Sequence, residues 1–202
     1  MADLVQAVAI RKNVGSHQDV IRAVALASVI AWVTSYEDPA WSSWLKGRFT
    51  KSVRRGTAGQ VEAAAEFAAS DVMVGEARAL GFVPSAYEDM VQPLPKMQVS
   101  GTEYPRSENW VVDPEGPTIF INHNAEMSTG KTAAQAAHGL FAWALRLDQE
   151  GREHWVGQGF PVTFLEAPAR QIKIMAELEG AVPIFDAGFT EIDPGTLTVV
   201  AL

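Results

Sequence analysis

Residues 118–149 read TIFINHNAEMSTGKTAAQAAHGLFAWALRLDQ, and the period of the apolar residues changes inside them. Thr118 to Asn122 is a short, apolar, β-branched run, the pattern of a strand. From Lys131 to about Gln149 the chain is alanine-rich, with Ala134, His138, Phe141, Ala142 and Leu145 at three- and four-residue spacing, one face of a helix. Downstream, "FPVTFLEA" (160–167) reads as a strand and "ARQIKIMAELEG" (169–180) as a helix closed by Gly180. "AVPIFDAG" (181–188) reads as another strand, and after the Asp193-Pro194-Gly195 turn a last strand runs from Thr196 to Leu202. The order β-α-β-α-β-β implies a sheet covered by helices on both faces.

Upstream, the same plan recurs. Trp32 and Trp143 share an offset of 111 with Trp44 and Trp155, and so do Phe49 and Phe160, Gln60 and Gln171, and Ala65-Glu66 and Ala176-Glu177. Tryptophan is rare, so two pairs at one offset indicate a degenerate internal duplication. Beyond Glu66 the match needs gaps, with "ALGFV" (79–83) answering "DAGFT" (186–190). The period is too long for a solenoid. Two related α/β domains are therefore expected, at 1–101 and 118–202. Residues 102–117, rich in Pro, Gly and charge, form a linker between them.

Composition narrows the function. The 202-residue chain is 48% hydrophobic and 20% charged, as a soluble globular protein is. It has no cysteine, which excludes disulfides, thiol catalysis and cysteine-ligated zinc. The first residues, MADLVQAVAIRKN, do not read as a secretory signal, and the run Ala23–Val33 is too short to span a bilayer. No membrane partner is expected, and the cytoplasm is the default location. A net charge of −8 argues against a general nucleic-acid binder, though not against a local basic patch.

The "TGKT" of residues 129–132 resembles the end of a phosphate-binding loop. That loop needs a glycine five residues before its Gly-Lys pair, where Ala125 stands, and Glu126 adds negative charge. No nucleotide cofactor is expected. Lys131 then sits at a strand-to-helix junction, capped by Ser128 or Thr129, where its charge opposes the helix dipole. A carboxylate partner or an anionic ligand would account for it, as would a side chain turned into solvent. Asp186 ends an apolar strand at the edge where open α/β sheets collect ligands. With Thr190 and Thr196 it could orient a water and, with Lys131, stabilise an oxyanion. Asp186 also fits an ordinary turn residue bonding its own backbone.

"MSTGKTAAQAAHG" and "DAGFTEIDPGTLTVVAL" together resemble the two signature segments of the type 2 peptidyl-tRNA hydrolase family. The resemblance covers about residues 118–202. It implies a mixed four-stranded sheet with helices on both sides, and metal-independent cleavage of the ester joining a peptide to the terminal ribose of tRNA. By motif position it implies Lys131, Asp186 and Thr190 as catalytic residues, with Gln135, His138 and Thr196 facing the substrate. His138, on an alanine-rich face, also reads as a core histidine. The sequence departs from the family at Asn122-His123-Asn124, Ser128-Thr129, Phe189 and Glu191, which removes positive charge, adds negative charge or changes hydrogen bonding. At the 111 offset, Lys131, Gln135 and His138 correspond to Val20, Val24 and Ala27, so the first half keeps the frame without the site. That half does hold the densest basic cluster, Lys46, Arg48, Lys51, Arg54 and Arg55, readable as a tRNA contact or as a soluble strand edge. Because the family is typically homodimeric, two such domains in one chain imply a monomer acting as an intrachain pseudo-dimer. A non-catalytic binding protein on the same scaffold is the alternative reading.

Overall fold

The computed structural model describes residues 3–107, 110–188 and 191–202. The first half runs β1 (Val5–Arg11), α1 (His17–Thr34), α2 (Pro39–Lys46), β2 (Thr50–Gly56), α3 (Ala58–Ala65), β3 (Ser70–Val74) and β4 (Ala77–Gly81). The second runs β5 (Thr118–Asn122), α4 (Thr129–Ala144), α5 (Gln149–Gly157), β6 (Thr163–Ala167), α6 (Ala169–Ala176), β7 (Val182–Phe185) and β8 (Leu197–Ala201). Each half builds a mixed four-stranded sheet, ordered β2-β1-β4-β3 and β6-β5-β8-β7, with one parallel and two antiparallel pairings.

Each half contains a helix beyond the expected order. The helix read as 131–149 ends at Ala144, and α5 starts afresh because the Asp148 carboxylate accepts the Gly151 N–H at 2.8 Å. The strand read from Phe160 begins only at Thr163, since Phe160 lies at φ +61° and forms a turn. Phe49 lies 111 residues earlier at φ +55°. Such a backbone is unfavourable for a bulky residue. At both turns the ring packs on a tryptophan, with centroids 4.4 Å apart for Trp44–Phe49 and 5.1 Å for Trp155–Phe160. The correspondence extends to hydrogen bonds and register. Trp44 Nε1 donates to the Thr50 carbonyl at 2.8 Å and Trp155 Nε1 to the Pro161 carbonyl at 2.9 Å. Val8 stands opposite Val53 as Ile119 stands opposite Phe164.

The two halves share one core. Helices α1 and α4 pack on each other between the sheets, while α3 and α6 cover the outer faces in smaller apolar clusters. Alanines at 23, 27, 31, 133, 136 and 137 let the helix backbones approach, and all six are fully buried. Phe141 of α4 enters an aromatic nest of the first half, its ring 5.1 Å from Trp32, 5.2 Å from Trp44, 5.5 Å from Phe49 and 6.0 Å from Trp41.

Candidate functional site

The loop after β7 is closed at both ends. The Asp186 N–H donates to the Thr196 carbonyl at 2.9 Å, and the Gly195 N–H donates to the Asp186 carbonyl at 2.8 Å. Gly188, at φ +77°, packs against Pro194, where a Cβ would come within 2.5 Å of the proline ring. The Asp-Ala-Gly and Pro-Gly-Thr parts of the segment therefore specify one closed loop that fixes Asp186 at the end of its strand.

On the facing helix, Ser128 caps α4 by accepting the Lys131 N–H at 3.2 Å. Lys131 Nζ lies 2.6 Å from Asp186 Oδ1 and 2.5 Å from Oδ2, with side-chain exposures of 12% and 3%. Asp186 brings negative charge to the positive end of α4, which offsets the unfavourable placement of a lysine there. The pair opens on a cleft of about 530 Å³ lined by α4 (Gly130, Lys131, Ala134, Gln135, His138), by residues 183–187 with Glu191, and by residues 48–53, 99 and 100 from the first half.

Gln135 and His138 line the same cleft as Lys131. Gln135 is buried, its Oε1 2.8 Å from the Thr198 hydroxyl, which lies 3.1 Å from the Ile184 carbonyl. His138 is half-buried against Phe49, with ring centroids 5.0 Å apart. Burial first, then the charges of Lys51 and Lys131, push its pKa well below that of ordinary histidine, so the imidazole is neutral at pH 7. Thr196 turns its hydroxyl into the loop, donating to the Asp193 carbonyl at 2.7 Å, and serves Asp186 through its backbone. Thr190 lies outside the described residues.

The basic cluster is divided among separate environments. Lys46 is exposed at the end of α2, and Arg48 is exposed and paired with Asp3 at 3.2 Å. Arg54 is buried on one face of β2, donating to the Leu94 carbonyl at 3.0 Å over the Tyr87 ring. Lys51 points to the opposite face, with Arg55 four residues along on the same side. Its Nζ donates to Gln6 Oε1 at 2.7 Å and Ser28 Oγ at 2.9 Å, and lies 4.2 Å from the centre of the Phe141 ring and 4.3 Å from that of Trp44. Burial alone drives its pKa well below the lysine range. The folded chain therefore binds fewer protons here than the unfolded chain, and this position destabilises the fold most at low pH and not at all above pH ~10.4. Gln6 and Ser28 bond each other without it, at 2.7 and 2.8 Å. Lys51→Met is expected to be more stable than the wild type by about 1 kcal/mol at pH 7, with the gain shrinking toward pH 10, as followed by urea unfolding.

Two carboxylates that sequence patterns did not single out as site residues hold the mouth of α4. Glu191 accepts the Ser128 N–H at 2.9 Å and its hydroxyl at 2.7 Å. Glu103 accepts the Thr129 hydroxyl at 3.2 Å. The stretch read as a linker is thus a structural strap. The Tyr104 hydroxyl donates to the Arg11 carbonyl at 2.5 Å, and the Thr102 carbonyl accepts the Gly130 N–H at 3.1 Å. Behind it, His17 Nδ1 lies 2.9 Å from Thr129 Oγ1. Glu166 is held down to about 2 by the His17 imidazole and by Arg106, against the cost of its part-burial. The His17 contact, at 3.7 Å, is too long for a hydrogen bond, and Arg106 at 2.8 Å is the closer partner. A lowered carboxylate pKa stabilises the fold above pH ~4.5 and loses that contribution as pH falls toward 2. Glu166→Gln is expected to lose most of its stability difference from wild type in that window, as read by circular dichroism during acid titration.

The family model described as peptidyl-tRNA hydrolase PTH2 matches residues 117–202. The peptidyl-tRNA hydrolase of Thermococcus onnurineus (strain NA1) is 36% identical over 94 residues, covering 42% of this chain and 79% of the relative. The chain belongs to the peptidyl-tRNA hydrolase PTH2 family. The peptidyl-tRNA hydrolase of Thermococcus sibiricus is 33% identical over 94 residues, with the same coverage. That of Sulfolobus acidocaldarius is 31% identical over 98 residues, covering 42% of this chain and 82% of the relative. The PTH2 match spans the second half and both members of the Lys131–Asp186 pair. Among the described residues, no helix is long and apolar enough to cross a membrane.

Proposed function

We propose that the chain hydrolyses the ester between a peptide or acyl group and tRNA, in translation, with Lys131, Asp186 and Thr190 as its catalytic residues. The observation that carries this reading is the shielded Lys131–Asp186 pair at 2.5 Å, opening on a cleft. Asp186 holds a water and takes its proton as the water oxygen adds to the ester carbonyl. The Lys131 ammonium neutralises the oxyanion so formed. The proton then passes to the departing ribose oxygen as the C–O bond breaks, leaving a peptide carboxylic acid and a free tRNA hydroxyl. Gln135 and a neutral His138 line the approach as substrate contacts.

The first half is a degenerate copy of the second, and one chain does the work of a homodimer. Support comes from the shared strand order, the shared register at one offset, and the paired turns at Phe49 and Phe160. Its exposed cations, Lys46 and Arg48, are the members of the basic cluster available to tRNA phosphates, and the cytoplasm is the setting.

One observation favours a second reading. Glu191 occupies the N–H and hydroxyl of Ser128, and Glu103 sits beside Thr129, which puts negative charge where a phosphate would approach α4. A non-catalytic binding protein on the same scaffold would fit that. Cleavage of peptidyl-tRNA, with Asp186→Ala as the control, separates them: hydrolysis lost in the variant supports the enzyme, and equal inertness of the two supports the binder.

A further inference from the structure

The cleft wall opposite Lys131 is the edge of a sheet rather than a face. Strand β2 is the outermost strand of its sheet. Four consecutive residues of the strand, 50–53, line the cleft after Arg48 and Phe49, whereas a strand presenting one face would line it with alternate residues. Backbone directions follow from two bonds. The Gly56 carbonyl accepts the Lys12 N–H at 2.9 Å, so Gly56, Arg54 and Ser52 point toward β1. The Arg55 N–H donates to the Gln98 carbonyl at 2.7 Å and its carbonyl accepts the Gln98 N–H at 3.1 Å, so Arg55, Val53 and Lys51 point outward. Among the described residues, only Arg55 has that side filled, by an isolated antiparallel bridge to Gln98. After it the chain bends away at Ser100 and Gly101, so the outward N–H and C=O groups of Val53 and Lys51 have no partner among the described residues.

We infer that the β2 edge at Lys51 and Val53 binds the peptide moiety of the ester as an added strand, so the first half supplies the peptide-binding wall. This rests on the hydrolase reading above. Main-chain pairing holds a peptide without regard to its side chains, which suits a substrate whose peptide has no fixed sequence. The spacing is compatible. His138, against Phe49, stands seven residues along α4 from Lys131, roughly 10 Å at the helical rise. About three extended residues cover that length. The chemistry of the wall favours peptide over RNA. Phe49, Val53 and Val99 make it largely apolar, and the Lys51 ammonium is turned inward to Gln6 and Ser28.

The test uses the full chain and a non-cleavable probe, a tetrapeptide joined by an amide to 3′-amino-3′-deoxyadenosine, with one N-methyl group placed at each peptide amide in turn. Titration calorimetry should show an alternating pattern: one of two successive positions weakens binding roughly 5–10-fold, the scale of one main-chain hydrogen bond, and its neighbour hardly changes it. Val53→Pro removes an outward N–H that the sheet does not use, at an edge strand where proline is tolerated, and replaces a buried core valine with another apolar side chain. With a wild-type-like circular dichroism spectrum, it should weaken the parent probe to the same degree and abolish the alternation. The N-methyl series needs no variant, so misfolding of Val53→Pro leaves the result readable. Absent binding, equal binding by all N-methyl isomers, or a Val53→Pro variant that loses a tRNA minihelix but keeps the peptide overturns the inference. Hydrolysis of peptidyl-tRNA by the same preparation is scored separately. Alternating affinity without hydrolysis would refute the enzyme and leave the edge pairing standing.

Discussion

Asp186→Ala is expected to lower kcat/KM for peptidyl-tRNA by at least 10²–10³-fold, the scale of losing one preorganised charged group at a reacting centre. The effect should fall mainly on kcat, because Asp186 acts on the water and not on bound substrate. The substitution also takes the carboxylate away from Lys131, which is 12% exposed, beside the end of a helix whose dipole repels it. Stability should therefore drop as well, by about 3 kcal/mol, the cost of breaking a buried ion pair by removing one partner. Asp186→Asn keeps the volume and one oxygen able to accept from Lys131 Nζ, so it should lose less stability than Asp186→Ala: if activity falls as far while the melting temperature drops less, the loss is chemical.

Phe141→Ala is expected to destabilise the chain by about 3–5 kcal/mol, as large-to-small changes of buried aromatics do. The ring is fully buried and touches Trp32, Trp41, Trp44 and Phe49, all from the other half. The cavity opens where the halves meet, so they should lose cooperativity. One urea transition should broaden or split when tryptophan fluorescence is compared with far-ultraviolet circular dichroism. A single sharp transition at the wild-type midpoint would mean that Phe141 does not join the halves.

The second half was largely legible because its apolar periods are clean. TIFIN forms β5, the alanine face forms α4, and the main-chain bonds of Asp186 to Gly195 and Thr196 hold Asp186 beside Lys131 as two separated segments implied. The break after Ala144 was hidden because Leu145 and Leu147 continue apolar spacing past the helix end, and only Asp148, as a cap, marks the restart. The strap around Thr102 to Tyr104 was unreadable because it has no period; its place is set by hydrogen bonds to α4 and β1. Lys51 misleads for another reason. A lysine in a strand next to other cations reads as a solvated edge, yet its stem crosses the sheet face and its ammonium ends among aromatic rings donated by both halves. Which residues form the cleft depends on packing between halves, and no local pattern carries that.

The most direct measurement is a double-mutant cycle on single-turnover cleavage of peptidyl-tRNA with the wild type, Lys131→Met, Asp186→Asn and the double variant. If the pair acts as one unit, each single change removes nearly all of the rate and the double variant is no slower than the worse single one. Additive losses, or single variants that cleave as fast as the wild type, would contradict a Lys131–Asp186 catalytic pair.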